Sequence, residues 1–412
     1  MKTRIFFALG IALILFSCEK TTIESASPTN IFSLSINPNY GDFYEKWVII
    51  NDINGEVLDF KQVKSGEDVQ FKTSLPIPQN KISVTIFSFD SVGNYTAQYL
   101  NTFQGLSVGT NWKLQKNETL APKDKGMKIG NLKLEIANSN DILMEVLGNG
   151  ENTSITETNN YSFRILDWEV FKNTNSAFYS VLMNGKLKYN FFEKINSDQL
   201  IKINLESLQN FDKLLNFKLP KVNDPYVSVK AFDDNGSDYY YIFRNIFQSP
   251  PFAPSKTYEN LQIGFLNKFK KYETNMTFAV GNYYFNYYKK GGVPDIFDVP
   301  KNIPINVMNK AMSDFSFNTD LEYDWQKINF SKFDAQTKKS IYWTIMSPKG
   351  EYKSVKLPAT FMSKFSKIKI EDFSKSIIYL TKSSQSYSDM VNGLFQSTPS
   401  KDSEIEYFQY TF

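Results

Sequence analysis

Histidine is absent from all 412 residues, and that one absence removes a large share of enzyme chemistry. Ser-His-Asp triads, Cys-His dyads, imidazole acid/base steps and histidine metal sites are all excluded together. Cysteine occurs once, at Cys18, so no intrachain disulfide can staple the fold. Arginine is nearly missing too, at positions 4, 164 and 244 only, against 43 lysines. The formal net charge is just +3, which argues against nucleic acid as a partner. The uncharged run from Ile5 to Phe16 is 12 residues long, whereas a permanent membrane span needs about 20 apolar residues.

What is present begins with that run. Lys2 and Arg4 precede it, and Leu15-Phe16-Ser17-Cys18 closes it, the order of a cleavable export signal. Leu-Phe-Ser-Cys directly behind the apolar core, using the chain's only cysteine, resembles the lipobox of bacterial lipoproteins. The resemblance implies cleavage before Cys18 and diacylglyceryl modification of its thiol, with further acylation of the new N-terminus. Several acyl chains, at about 0.8 kcal/mol per buried CH₂, hold a protein on a membrane without any spanning helix. Removing residues 1–17 lowers the formal charge from +3 to +1. The lysine and asparagine excess, together with the lipobox, resembles lipoproteins of the Bacteroidota; the resemblance implies a cell-envelope site, the outer membrane first, with the periplasmic or surface face open. Residues 18–30 are polar, hold Ser, Thr and Pro, and show no apolar period, which reads as a flexible tether.

The rest is rich in aromatics, with 36 Phe, 24 Tyr and 5 Trp, a composition that favours strands. Three segments share a strand, a glycine turn and a return strand: Trp47-Val-Ile-Ile with Gly55, Ser180-Val-Leu-Met with Gly185, and Trp343-Thr-Ile-Met with Gly350. A Phe-Gln pair follows each, at Phe103-Gln104, Phe247-Gln248 and Phe395-Gln396, and Asp167-Trp168 and Asp324-Trp325 precede the last two hairpins. This spacing predicts three units, over 31–118, 119–268 and 269–412, the latter two with extra N-terminal strands. The strand runs of five to eight residues, broken by Gly, Pro and Asn, predict an all-β fold of tandem β-sandwich units. Tyr226-Val-Ser-Val-Lys-Ala-Phe-Asp-Asp-Asn-Gly236, with Trp168 upstream, resembles a fibronectin type III or related immunoglobulin-like sandwich. That resemblance covers 31–118 and 160–250 better than 320–412, and it implies binding, spacing or presentation without assigning a ligand. Helix is minor: Glu206 to Asn216, with Leu205, Leu208, Phe211 and Leu214 three apart, is the best candidate, and Pro358 to Phe365 sits comparably in the third unit.

Chemical motifs are few. Gly105-Leu-Ser107-Val-Gly109 matches the G-x-S-x-G pattern, but a nucleophile elbow needs a following helix and a base, and the sequence runs on into Trp112-Lys-Leu, a strand. Asp233 to Asp238 is rich in oxygen ligands yet fails the calcium-loop template, because Arg244 stands where a bidentate Glu is required. It reads as a hairpin turn. A carboxylate pair could still serve glycoside hydrolysis, and Asp167 and Asp324 are the acids placed alike in two units, but each sits beside a Trp in a strand. No catalytic, metal-binding or cofactor-binding residue is assigned.

Aromatic side chains remain as binding candidates. Trp47, Trp168, Trp325 and Trp343 fall at the repeat landmarks and are assigned to sandwich cores. The strand around Tyr283 is different, since Tyr283, Phe285 and Tyr287 face one side and Tyr284 and Tyr288 the other. Tyr283, Tyr284, Tyr287 and Tyr288 are therefore the candidate ligand-binding residues. The expectation is a non-catalytic, lipid-anchored envelope component, either docked on another envelope protein or capturing a glycan on an aromatic platform.

Overall fold

The computed structural model describes residues 27–411, apart from 41–44, 93–94, 116–125, 138–141, 149–152, 157–162, 174, 185, 233–239, 244–256, 335–338, 374 and 396–402. Cys18, the signal segment and the turn at 233–238 lie outside the described residues. The chain is all-β, with sandwich-like sheets and two short helices among the described residues.

Seven strands make the first sandwich: β1 (Thr29–Ile36), β2 (Glu45–Asp52), β3 (Val57–Val63), β4 (Asp68–Thr73), β5 (Lys81–Val92), β6 (Tyr95–Ser107) and β7 (Thr110–Leu114). β1 starts at Thr29, two residues inside the stretch read as tether. Alternation sends Phe32, Leu34 and Ile36 inward from β1, and they meet Phe71 of β4, Trp112 of β7 and Val48 and Ile50 of β2. One sheet has the order β4-β1-β7, with β1 and β7 parallel, and the facing strands have the order β3-β2-β5-β6.

The next seven strands repeat this pairing one for one. They are β8 (Lys128–Ala137), β9 (Ile142–Gly148), β10 (Thr153–Thr156), β11 (Phe163–Phe171), β12 (Ala177–Met183), β13 (Lys186–Phe192) and β14 (Gln199–Ile203). Their sheets run β11-β8-β14, again with a parallel β8·β14 pair, and β10-β9-β12-β13. The hairpin at Ser180 thus occupies the place of β5-β6, whereas the hairpin at Trp47 is β2-β3, so the two glycine landmarks are not equivalent. A strand-turn-strand signal identifies a hairpin but carries no mark of which hairpin in the sandwich it is. The second sandwich closes its own core around Leu134, Trp168, Tyr179 and Val181.

The helix expected over 206–216 is absent. Leu205–Ser207 is a single 3₁₀ turn capped by the Asn204 side chain, and strands β15 (Gln209–Asn210) and β16 (Lys213–Phe232) follow. Leu205 and Leu208 enter the second core, so their spacing of three records a 3₁₀ turn.

The remaining strands do not form a third bead. They are β17 (Tyr240–Phe243), β18 (Thr257–Phe265), β19 (Lys271–Val280), β20 (Tyr283–Gly291), β21 (Ile305–Asn309), β22 (Ser316–Thr319), β23 (Trp325–Asp334), β24 (Lys339–Pro348), β25 (Lys375–Ser383) and β26 (Ser403–Thr411). Helix α1 (Ala359–Lys364) precedes β25, within the expected Pro358–Phe365 segment, and α2 (Tyr387–Phe395) precedes β26. Most of these strands join the first sandwich in one 13-stranded sheet, ordered β17-β16-β19-β20-β26-β25-β23-β24-β6-β5-β2-β3, with β18 on β16. The junction is the parallel pair β24·β6. Beside it, the Trp343 indole donates to Thr102 Oγ1 at 2.9 Å, in a fully buried spot.

No return strand follows Gly350, because the first sandwich captures that backbone. Gln104 bonds both the carbonyl and the amide of Lys353, and Asn51 Nδ2 donates to Gly55 O and Lys356 O. Gly55, at φ +86°, lies so close that a Cβ would come within 2.3 Å of Ser354 O. A second close approach joins β18 to the segment after the second sandwich, where a Cβ on Gly264 would meet the Phe211 ring at 2.4 Å. Gly264→Ala is expected to cost about 1–3 kcal/mol through forced repacking, read as a lower denaturant midpoint; an unchanged midpoint would show that Phe211 can withdraw freely.

Candidate ligand-binding face

Directly opposed residues in paired strands share a face, so the register assigns every side chain of the large sheet to one surface or the other. On one surface Phe285, Phe408, Leu380, Ile328, Ile345 and Leu100 are all buried. The other surface is covered over β2, β5 and β6 by the sheet β4-β1-β7 and by α2, which also bury Trp325 of β23 and Met346 of β24, and beyond these it is open at Tyr284 and Tyr342. Along one row of that open surface Tyr284 of β20 lies opposite Gln409, Gln409 opposite Tyr379, Tyr379 opposite Lys327 and Lys327 opposite Met346. The neighbouring row carries Asn286, Tyr407 and Thr381, of which Asn286 and Thr381 are buried beneath their neighbours. Toward β6 come Asn329, Thr344 and Asn101, then Tyr342 and Tyr99. Toward β16 come Thr277 and Asn275 of β19 and Tyr226.

Among the described side chains seven tyrosines therefore share this face: Tyr99, Tyr226, Tyr284, Tyr288, Tyr342, Tyr379 and Tyr407. Tyr284 is 50% exposed and Tyr342 is 37% exposed, while the other five are half-buried. Tyr99 and Tyr342 stack at 5.4 Å with an interplanar angle of 15°. Tyr379 and Tyr407 sit 6.2 Å apart, and Lys327 Nζ lies 3.9 Å from the Tyr379 ring centre. Burial holds the Lys327 ammonium below its ordinary pKa and pushes the Tyr379 and Tyr407 phenols up. The Tyr288 phenol is pushed up to about 12, by burial first and by the Glu273 carboxylate second. Seven interstrand steps separate β16 from β6, so the strip is about 34 Å wide at ~4.8 Å per strand. Its polar members are mainly amides and hydroxyls, such as Asn286, which accepts from Thr277 Oγ1 at 2.9 Å, and Asn329, which accepts from Thr344 Oγ1 at 3.1 Å.

The four tyrosines singled out in the sequence divide between the two surfaces. Tyr284 and Tyr288 belong to the open face. Tyr283 and Tyr287 do not: both are buried in the core, where the Tyr283 hydroxyl donates to Pro300 O and the Tyr287 hydroxyl donates to Glu404 Oε1 at 2.6 Å. They are corrected to structural residues, because the segment around Phe297 and Pro300 covers their side of β20. Tyr379, Tyr407, Tyr342 and Tyr99 went unnoticed in the sequence, since strands remote along the chain bring them together. The signal that could have found them is the lone Tyr amid aliphatics in Ile377-Ile-Tyr-Leu380.

Trp168, Trp325 and Trp343 are buried, as assigned, but Trp47 is half-buried and stacks on Phe60 while its indole donates to Glu45 at 2.6 Å. Asp167 and Asp324 are held as hydrogen-bond acceptors, Asp167 from Asn131 Nδ2 and Asp324 from the Ser383 amide. Ser107 ends β6 and a tight turn leads straight into β7, with no helix behind it. Among the described residues no helix is long and apolar enough to cross a membrane. No protein-family model matches the chain, and no curated protein matches it.

Proposed function

We propose that this chain is a lipid-anchored, non-catalytic binding protein of the cell envelope, tethered through Cys18 and holding a glycan on the open tyrosine face. The observation that carries the reading is the strip of seven described tyrosines, flanked by Asn, Gln and Thr side chains, with one carboxylate among the described side chains at its rim, Glu273, which is paired with Lys230 at 2.7 Å. Sugar rings present apolar C–H faces that stack on aromatic rings and hydroxyls that bond to amides, which is the chemistry this strip offers. A hydrolytic site would instead need two unpaired carboxylates about 5–9.5 Å apart. The anchor reading rests on the first 18 residues alone and is tested by metabolic labelling with a clickable fatty acid. Labelling lost in Cys18→Ser supports it, and labelling retained in that variant overturns it.

The glycan reading is tested by titrating the protein with oligosaccharides prepared from its own envelope and growth environment. Replacing Tyr284, Tyr379 and Tyr407 together with Ala should weaken binding at least about tenfold, equal to about 1.4 kcal/mol, with the melting temperature nearly unchanged. Unchanged affinity would sink this assignment. Crosslinking in cells that joins the same face to a protein, with no glycan bound, would establish the accessory-subunit reading in its place.

A further inference from the structure

On the surface opposite the tyrosine strip, the junction between the first sandwich and the C-terminal strands forms a half-open cavity of about 260 Å³. Its floor is a register row: Lys332 of β23 lies opposite Ile341 of β24, and Ile341 opposite Gln98 of β6. Lys339 extends the floor by one step along β24. The wall is the run Lys364-Phe365-Ser366-Lys367 at the end of α1. Phe365 is anchored there by Phe87 at 4.5 Å and Phe361 at 4.8 Å, so the wall is fixed by the core.

Among the described side chains the lining carries four ammonium groups and no carboxylate, and the register sets Asp334 of β23 opposite Lys339 at the edge of the floor. Asp372 pairs with Lys332 and Glu45 pairs with Lys364, both from outside the cavity, and Lys339 has no ion pair among the described residues. Gln98 contributes a second kind of demand, since its Oε1 is buried and has no hydrogen-bond partner among the described residues. An unpaired buried acceptor is costly, so a ligand hydroxyl that meets Gln98 as its side chain turns toward the cavity gains by pairing it. Phe365 and Ile341 supply an apolar surface for a ring. The volume falls just below the roughly 300–1,000 Å³ of drug-sized sites, which suits a single ring and little more.

We propose that this cavity binds one sugar-sized acid, a hydroxylated ring bearing a carboxylate or a phosphate ester. The anionic group lies among Lys339, Lys367 and their neighbours, a ring hydroxyl donates to Gln98 Oε1, and the ring face rests on Phe365. The assignment does not depend on the tyrosine face, and the chain carrying Ala at 284, 379 and 407 is expected to keep it.

The test is calorimetric titration of the intact chain with glucuronate, with glucose 6-phosphate, with inorganic phosphate and with neutral glucose. At least one of the two sugar acids should bind saturably, and the tighter of them identifies the acid. Glucose and inorganic phosphate should each bind at least about tenfold more weakly than that acid. Lys339→Gln with Lys367→Gln should lower the affinity at least about tenfold, and Gln98→Leu should lower it with no loss of thermal stability. Inorganic phosphate binding as tightly as the sugar acids would overturn the ring assignment. No saturable binding of either sugar acid at about 10 mM, or affinity unmoved by the lysine pair, would overturn the site.

Discussion

Residues 27–115 expressed alone are expected to fail as a stable soluble monomer, although they contain a complete seven-strand sandwich. In the whole chain the strands β2, β5 and β6 are covered on both faces: Val48 and Ile50 point into the sandwich, and Ile49, Phe87 and Leu100 point the other way, into a core built with β23, β24, β25 and α1. The last three side chains are fully buried. At about 1.5–3 kcal/mol each, exposing them forfeits about 5–9 kcal/mol, comparable to the ~5–15 kcal/mol that holds an ordinary domain together. Circular dichroism and denaturant unfolding of the fragment beside the full chain would check this. A fragment with the full chain's midpoint would show that the junction contributes nothing. The matching change in the intact chain is Trp343→Ala, which removes a fully buried indole and leaves Thr102 with only Thr85 as a hydroxyl partner, at 2.8 Å. It should cost about 3–5 kcal/mol. Hydrogen exchange should then rise along β6 and β24 before it rises in the second sandwich, whose core is separate.

Tyr287→Ala and Tyr284→Ala, three residues apart on one strand, should differ by nearly the full range of single-site effects. Tyr287 is 0% exposed, stacks on Phe297 at 4.4 Å, and bonds Glu404, whose other oxygen pairs with Lys289 at 3.0 Å. Truncating it opens a cavity and removes a donor from a partly buried carboxylate, for a loss of about 3–5 kcal/mol. Tyr284 stands on the open face, and its removal should stay within about 0.5 kcal/mol of the parent stability. Binding should show the reverse, with the loss at Tyr284. Thermal melts and glycan titrations on the two variants separate the roles. Equal destabilisation by both would mean that the open face is packed against something in the folded protein, and the binding assignment would fall with it.

Much of this molecule is written locally. The absence of histidine, the apolar run ending in Cys18, the strand-forming aromatics and the β2-β3 and β12-β13 hairpins are short-range features, and each follows from a few neighbouring residues. The opposite facing of Tyr284 and Tyr287 was legible for the same reason, because alternation along a strand needs no knowledge of the fold. Which of the two faces would be buried was not legible, since that depends on Phe297 and Pro300 folding back over β20. The helix expected at 206–216 failed because a spacing of three serves a 3₁₀ turn as well as an α-helix.

The sequence by itself determined that the protein is a β-rich chain without histidine chemistry or an intrachain disulfide. Only the tertiary structure decided that its C-terminal strands weld to the first sandwich, which sets Tyr284, Tyr379, Tyr407, Tyr342 and Tyr99 on one face and Gln98, Lys332 and Lys339 around one cavity. The physical reason is that strand pairing uses backbone groups that every residue shares. The pairing of β6 with β24, some 240 positions apart along the chain, therefore leaves no mark in either strand's own residues.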